Sequence, residues 1–409
     1  MFYGWVVVAA VMMVAVVAVA MAGPVIAFFI PVMHADLGIP MVYFGLAMSA
    51  RQVGFAFASP FLGRWIDIYG ARPLLIGVGV FGGLLVYSLS WVSAGWHLVA
   101  IIGLLGFAGL QGAGGELYGS VVIAKWFTRN RGRAMAVAFI GTPLGIFFLT
   151  PLTQYWIEAM GWPTVWKVYG VCGGLLLVLA ALFIRRPPTE PAEITPGKPT
   201  QISDGHNWTR EQAVRSSAFW KIAVSFGILM FTISTVAMFR VQHFLDRGLD
   251  LQWVAIAFSV EAALSALVAF PIGMLIERFA IHRLTAIGFC FAIIMLVLTI
   301  NTHDMVMLFL ATGTFGVGAA SVMILQNSIW PGYFGSLHIG AIRGVAMPIS
   351  LGFAIIGAPV AGLVRDATGS FVTLWWITAL AMLIAIGLIL TATPPDRMPT
   401  CTTGPDQDA

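Results

Sequence analysis

The chain has 409 residues, 59% hydrophobic and only 9% charged, with a formal net charge of +4. Soluble domains carry about 25% charged residues, so this chain lacks the polar surface to be one, and lipid must be its solvent. Its basic residues flank apolar stretches and form no patch for nucleic acid. The three cysteines offer neither a disulfide framework nor ligand spacing, so no metal and no cofactor is implied.

Twelve apolar runs follow in chain order, each near the roughly 20 residues that span a bilayer. They are residues 4–31, 41–62, 73–93, 97–124, 134–155 and 164–184, then 219–244, 251–275, 283–300, 305–330, 342–364 and 371–392. The first has no basic leader and is too long for a signal peptide, so it reads as a retained span. Residues 185–217, opening Arg185-Arg186-Pro187-Pro188, form a polar linker between residues 1–184 and 218–395, with 396–409 as a tail. Within the linker, Thr209-Arg210-Glu211-Gln212 fits a capping box that opens a short surface helix. The Asn207-Trp208-Thr209 sequon is expected to be idle on the cytoplasmic side.

The two halves are related. Gly63–Arg72 and Gly273–Arg278 lie 210 residues apart, and the same offset pairs Asp36-Leu37-Gly38 with Asp246-Arg247-Gly248, Arg51 with Glu261, and Glu116 with Gln326. The predicted fold is therefore an all-α membrane protein of twelve helices in two pseudo-symmetric six-helix bundles. Repeats of this kind are typical of secondary transporters, whose site lies near mid-membrane between the halves.

Orientation follows from charge. With the N-terminus in the cytoplasm, sixteen of the twenty-one basic residues fall on inward connections, Arg64, Arg72, Arg131, Arg133, Arg278 and Arg343 among them. The positive-inside rule then places both termini and the linker in the cytoplasm of a cell (inner) membrane protein.

The pattern Gly63-x-x-x-Asp67-x-x-Gly70-x-Arg72, after the second span, resembles the loop motif of the major facilitator superfamily. Gly4-Trp5, Lys125-Trp126-Phe127 followed by Arg131-Gly132-Arg133-Ala134, and Trp208-Thr209 leading to Phe219-Trp220 look like its bacterial monocarboxylate and oxalate/formate branch. The resemblance implies an alternating-access carrier, expected to be a monomer, for a small organic anion. Many monocarboxylate carriers place an Asp and then an Arg one turn later in the eighth span, and often a Lys in the first. Here the eighth span has Glu261 followed by Ser265, and the first has no basic residue.

Charges within a bilayer cost at least about 2.5–3.5 kcal/mol, so each needs a partner or a water-lined cavity. Arg51, Glu116 and Glu261 all fall near the midplane by residue count. Arg51 suits a substrate carboxylate through its planar fork. Glu116 and Glu261 are the candidate proton sites, since a low-dielectric surrounding favours the uncharged carboxyl. The alternative is that Arg51 pairs permanently with one glutamate and ties two helices together. Gln326 serves either as a substrate donor or as helix-to-helix glue. Arg240, near an outer helix end, reads as a snorkelling side chain, and His243 and His34 as structural.

The superfamily resemblance also implies a gate at the inner end, to which Arg72 belongs: Asp67 near Arg343, and Glu277 near Arg131 and Arg133. The letters Gly77-x-Gly79-x-x-Gly82 match a dinucleotide fingerprint but lie within an apolar helix, where small residues permit close packing. Proton symport of a monocarboxylate is the leading expectation and oxalate/formate-type exchange the alternative. A drug antiporter is disfavoured because Gly141-Thr142-Pro143-Leu144-Gly145 lacks the Gly-Pro and Gly-Gly pairs that the resemblance implies for that class. A sensor would need more than residues 393–409 as an output segment, and an intramembrane enzyme would need a nucleophile and base that the spans do not contain.

Overall fold

The computed structural model describes residues 3–109, 122, 123, 126, 127, 131–185, 208–335 and 338–392, all helices and turns with no strand among them. Glu116 and most of the linker, including Asn207, lie outside these residues, as do the side chains of Asp67, Arg131 and Glu277. Nine helical stretches among the described residues are long and apolar enough to cross a membrane. The chain is a multi-pass membrane protein.

Before the linker the helices are α1 (Gly4–Ala22), α2 (Ile26–Leu37), α3 (Met41–Tyr69), α4 (Ala71–Ser88), α5 (Gly95–Phe107), α6 (Arg131–Phe139) and α7 (Gly141–Met160). Then α8 (Trp162–Val168) continues through a π turn into α9 (Gly174–Phe183). After the linker come α10 (Arg210–Arg215), α11 (Ser217–Asp246), α12 (Leu251–Arg278), α13 (Ile281–Ile300), α14 (Met305–Phe334), α15 (Ile339–Thr368) and α16 (Val372–Leu390). The capping box opens α10, with the Thr209 amide donating to Gln212 Oε1 (2.9 Å) and the Gln212 amide to Thr209 Oγ1 (3.4 Å). The glycines of 77–82 sit inside the continuous helix α4, with Gly79 and Gly83 against the backbone of Gly174 and Gly170.

The first apolar run differs from its expected single helix. It breaks at Gly23–Val25, because Pro24 has no N–H to continue the ladder and Gly23 takes an extended conformation. The chain resumes through three tighter bonds, from the Ile26, Ala27 and Phe28 amides to the Gly23, Pro24 and Val25 carbonyls (3.2, 3.1 and 3.1 Å).

The repeat is present in the backbone. Gly38 after α2 and Gly248 after α11, 210 apart, both adopt positive φ (63° and 80°), a conformation that favours glycine. Gly106 of α5 and Gly316 of α14, also 210 apart, face the backbone carbonyls of Arg51 and Glu261, and a Cβ at either position would collide with them. Each ionisable residue is thus backed by a helix brought close by a glycine.

Helices from before and after the linker pack together at the end of the bundle remote from it. There Gly45 of α3 abuts the Ala358 carbonyl, Gly362 of α15 abuts the Met41 carbonyl, and Ser49 Oγ donates to the Ile355 carbonyl. On the other side Ser259 Oγ of α12 donates to the Phe147 carbonyl of α7 (2.7 Å). Towards the linker end the same helices part: Gly344 and Gly352 of α15 meet open space, and Ala56 of α3 is exposed where Gly45 and Ser49 are buried.

Candidate functional site

Where the packed end gives way, a cavity of about 510 Å³ lies between helices of the two halves. Gly23 and Pro24 at the α1/α2 break, Arg51 and Gln52 of α3, and Ile146 of α7 form one wall. Arg240 of α11, Phe258 and Glu261 of α12, and Phe315 of α14 form the other. Methionines 48, 238 and 323 add apolar surface. Among the described residues three ionisable side chains, Arg51, Arg240 and Glu261, thus meet one largely apolar space.

Arg240 and Glu261 form a bidentate ion pair. Nη1 lies 2.7 Å from Glu261 Oε2, and Nη2 donates to Oε1 at 2.8 Å. The Arg240 guanidinium is clamped between the rings of Phe258 and Phe315, 3.9 Å from each centroid. Two-sided cation–π contact fixes its plane, and a flat fork is the geometry that carboxylates accept. Arg240 is only 3% exposed.

This corrects the snorkelling reading of Arg240. The missed signal was the direction of the Cα–Cβ bond, which tilts towards a helix's N-terminus. Arg240 lies six residues before the end of α11, so its side chain reaches back towards mid-bundle. Glu261, ten residues into the antiparallel α12, leans to meet it. Four residues of axial offset are about 6 Å, within the span of an arginine.

Arg51 does not pair with Glu261. Its Nη1 donates to the Ala22 carbonyl at the end of α1, a group that the helix break leaves without a backbone donor, and its buried Nε has no partner among the described residues. Gln326 is half-buried one turn beyond Met323 and is not among the cavity's lining residues. Of the expected gate residues, Arg72 and Arg133 are exposed, and Arg343 donates to Asn327 Oδ1 on α14 (2.7 Å). His243 Nε2 lies 3.1 Å from the Thr299 carbonyl with its ring against Trp375, and His34 Nδ1 lies 2.7 Å from the Ile39 carbonyl.

The profile described as Major Facilitator Superfamily matches residues 11–350. The chain belongs to this superfamily. It is a transport protein and not an enzyme, as the Gly63–Arg72 loop pattern had suggested. Among curated relatives of the superfamily it is 26% identical to monocarboxylate transporter 11 of Homo sapiens over 373 residues, 87% of this chain and 74% of that protein. It is 24% identical to monocarboxylate transporter 2 of Homo sapiens over 328 residues, 75% and 68% of the two chains. With the oxalate:formate antiporter of Oxalobacter formigenes it shares 27% identity over 214 residues, 49% of this chain and 47% of that protein. The superfamily fold is matched by the crystal structure of a bacterial homolog to human lysosomal transporter Spinster, inward-facing and occupied (TM-score 0.75, 14% identity, 96% and 97% of the chains). The nucleoside transporter NupG matches similarly (TM-score 0.74, 14% identity, 96% and 99%).

Proposed function

We propose that this superfamily member carries a small organic monocarboxylate across the cell (inner) membrane by proton symport, with both termini and the linker in the cytoplasm. The observation that carries the reading is the Arg240–Glu261 pair in the wall of a largely apolar cavity. While Glu261 is ionised it occupies both Nη groups of Arg240. A proton on Glu261 releases that fork, and a substrate carboxylate takes it in the same bidentate geometry. Arg51, whose described partner is a neutral carbonyl, supplies a second cation on the facing wall.

The charge balance supports this order of events. Arg51, Arg240 and ionised Glu261 sum to +1, and adding one proton and one monocarboxylate leaves +1. The loaded and empty sites then cross the low-dielectric core with equal charge, so rocking of the two halves carries no extra electrostatic cost. Glu116 remains a second candidate proton site from sequence. In the alternate state, Asp67 meets Arg343 and Glu277 meets Arg131 and Arg133, with Arg72 beside them, closing the linker end.

Two arginines on facing walls also suit oxalate/formate-type exchange, the second reading. Proteoliposomes loaded with buffer and given an inward proton gradient separate the two. Gradient-stimulated uptake of a short-chain monocarboxylate, without uptake of amines or neutral solutes, is the expected result. Gradient-insensitive counterflow favours exchange, and no carboxylate movement at all rejects both.

A further inference from the structure

Asp366, in the last turn of α15, spends both carboxylate oxygens on the opposite half of the chain. Oδ1 accepts from the Met41 amide and Oδ2 from the Val42 amide, each at 2.9 Å. These are the first two residues of α3, whose N-cap position is Pro40 and makes no side-chain cap. The repeat-equivalent α12 needs no such help, because its own Asp250 accepts from the Gln252 and Trp253 amides (2.9 and 3.3 Å). One helix of the pair is capped by its neighbour in sequence, the other by a residue 325 positions away.

The adjacent residue faces the other way. Arg365 pairs with Asp246 at the end of α11 (2.8 Å) and lies over the Phe371 ring (5.5 Å to its centroid). The tip of α15 is therefore anchored to its own half through Arg365 while Asp366 reaches across. Within one turn, Gly362 packs against the Met41 carbonyl, so the two backbones touch where the carboxylate bridges them.

We infer that Asp366 is a latch that holds the end of the cavity remote from the linker closed, by docking its carboxylate on the N-terminus of α3. Charge on exposed helix-start amides is favourable through both hydrogen bonding and the helix dipole. Asp366 is itself solvent-exposed, so water replaces either partner when the halves separate there, and the latch is reversible.

The test uses full-length protein in proteoliposomes with Cys172, Cys290 and Cys401 changed to serine and one cysteine placed at Ala237 on the cavity wall. The readout is its rate of labelling by a membrane-impermeant maleimide added on the latch side, which requires no substrate and so is independent of the symport reading. Asp366→Asn is expected to speed labelling about fivefold to tenfold, the effect of losing a charged cap. Pro40→Asp with Asp366 intact is expected to do the same, because α3 then caps itself and the two carboxylates repel. Unchanged labelling in both variants overturns the latch. A wild-type rate in the Pro40→Asp/Asp366→Asn double variant also overturns it, by showing that the carboxylate only caps α3.

Discussion

Helices α3 and α12 occupy equivalent places in the 210-residue repeat, yet they depend on their surroundings in opposite ways. Each carries an ionisable group as its eleventh residue, Arg51 and Glu261, backed by an equivalent glycine, Gly106 and Gly316. Helix α12 is self-contained: Asp250 caps it, and Arg240 of the preceding helix neutralises Glu261. Helix α3 borrows: its cap comes from α15, and Arg51 braces the break between α1 and α2. Duplication has set the depth of the two charges, and divergence has set what holds them. In the proposed function the charge paired within its own half, Glu261, is the proton switch, and the one bound to a neutral carbonyl at a helix break, Arg51, meets the anion.

The most damaging way to break this comparison is Arg240→Ala, which strands Glu261 in the cavity wall. Losing one partner of a buried pair costs about 3–5 kcal/mol, so the melting temperature of purified protein should drop sharply, with partial recovery in Arg240→Ala/Glu261→Ala. Recovery of stability without recovery of transport is the expected combination. Next in size is Arg51→Gln. Removing a charged donor to a carboxylate costs about 1.5–3 kcal/mol, roughly tenfold to hundredfold in affinity. Calorimetric titration with a short monocarboxylate should show that loss, with the variant's melting temperature measured alongside to show that it is folded.

How much of this was legible in the sequence differs between fold and site. The repeat, the spans and the linker are written in hydropathy and in residues that recur at one offset, because a bilayer demands long apolar helices and leaves few other options. Arg51 and Glu261 were legible for the same reason: charge inside an apolar run stands out. Arg240 was misread because its residue count places the Cα near a helix end while the direction of the side chain carries the guanidinium inward. The break at Gly23–Val25 was hidden inside a continuous apolar run. The Asp366 cap was invisible, since nothing local to α3 or α15 marks a bond between residues 325 apart.

The smallest effect sharpens the contrast between the two caps. Asp250→Ala removes a local cap worth about 1 kcal/mol, so thermal stability should fall slightly. Labelling of a cavity cysteine from the latch side should stay at the wild-type rate, unlike the response to Asp366→Asn. Equal labelling responses to the two substitutions would erase the distinction between self-contained and borrowed.

The central claim, that Glu261 exchanges Arg240 for a proton so that substrate can bind, is tested most directly by Glu261→Gln in proteoliposomes. Gln cannot ionise, so the Arg240 fork is permanently released and no proton is carried. The account predicts that this variant retains monocarboxylate exchange between equal pools but shows no uptake driven by an inward proton gradient. Gradient-driven accumulation at the wild-type level in Glu261→Gln would contradict it.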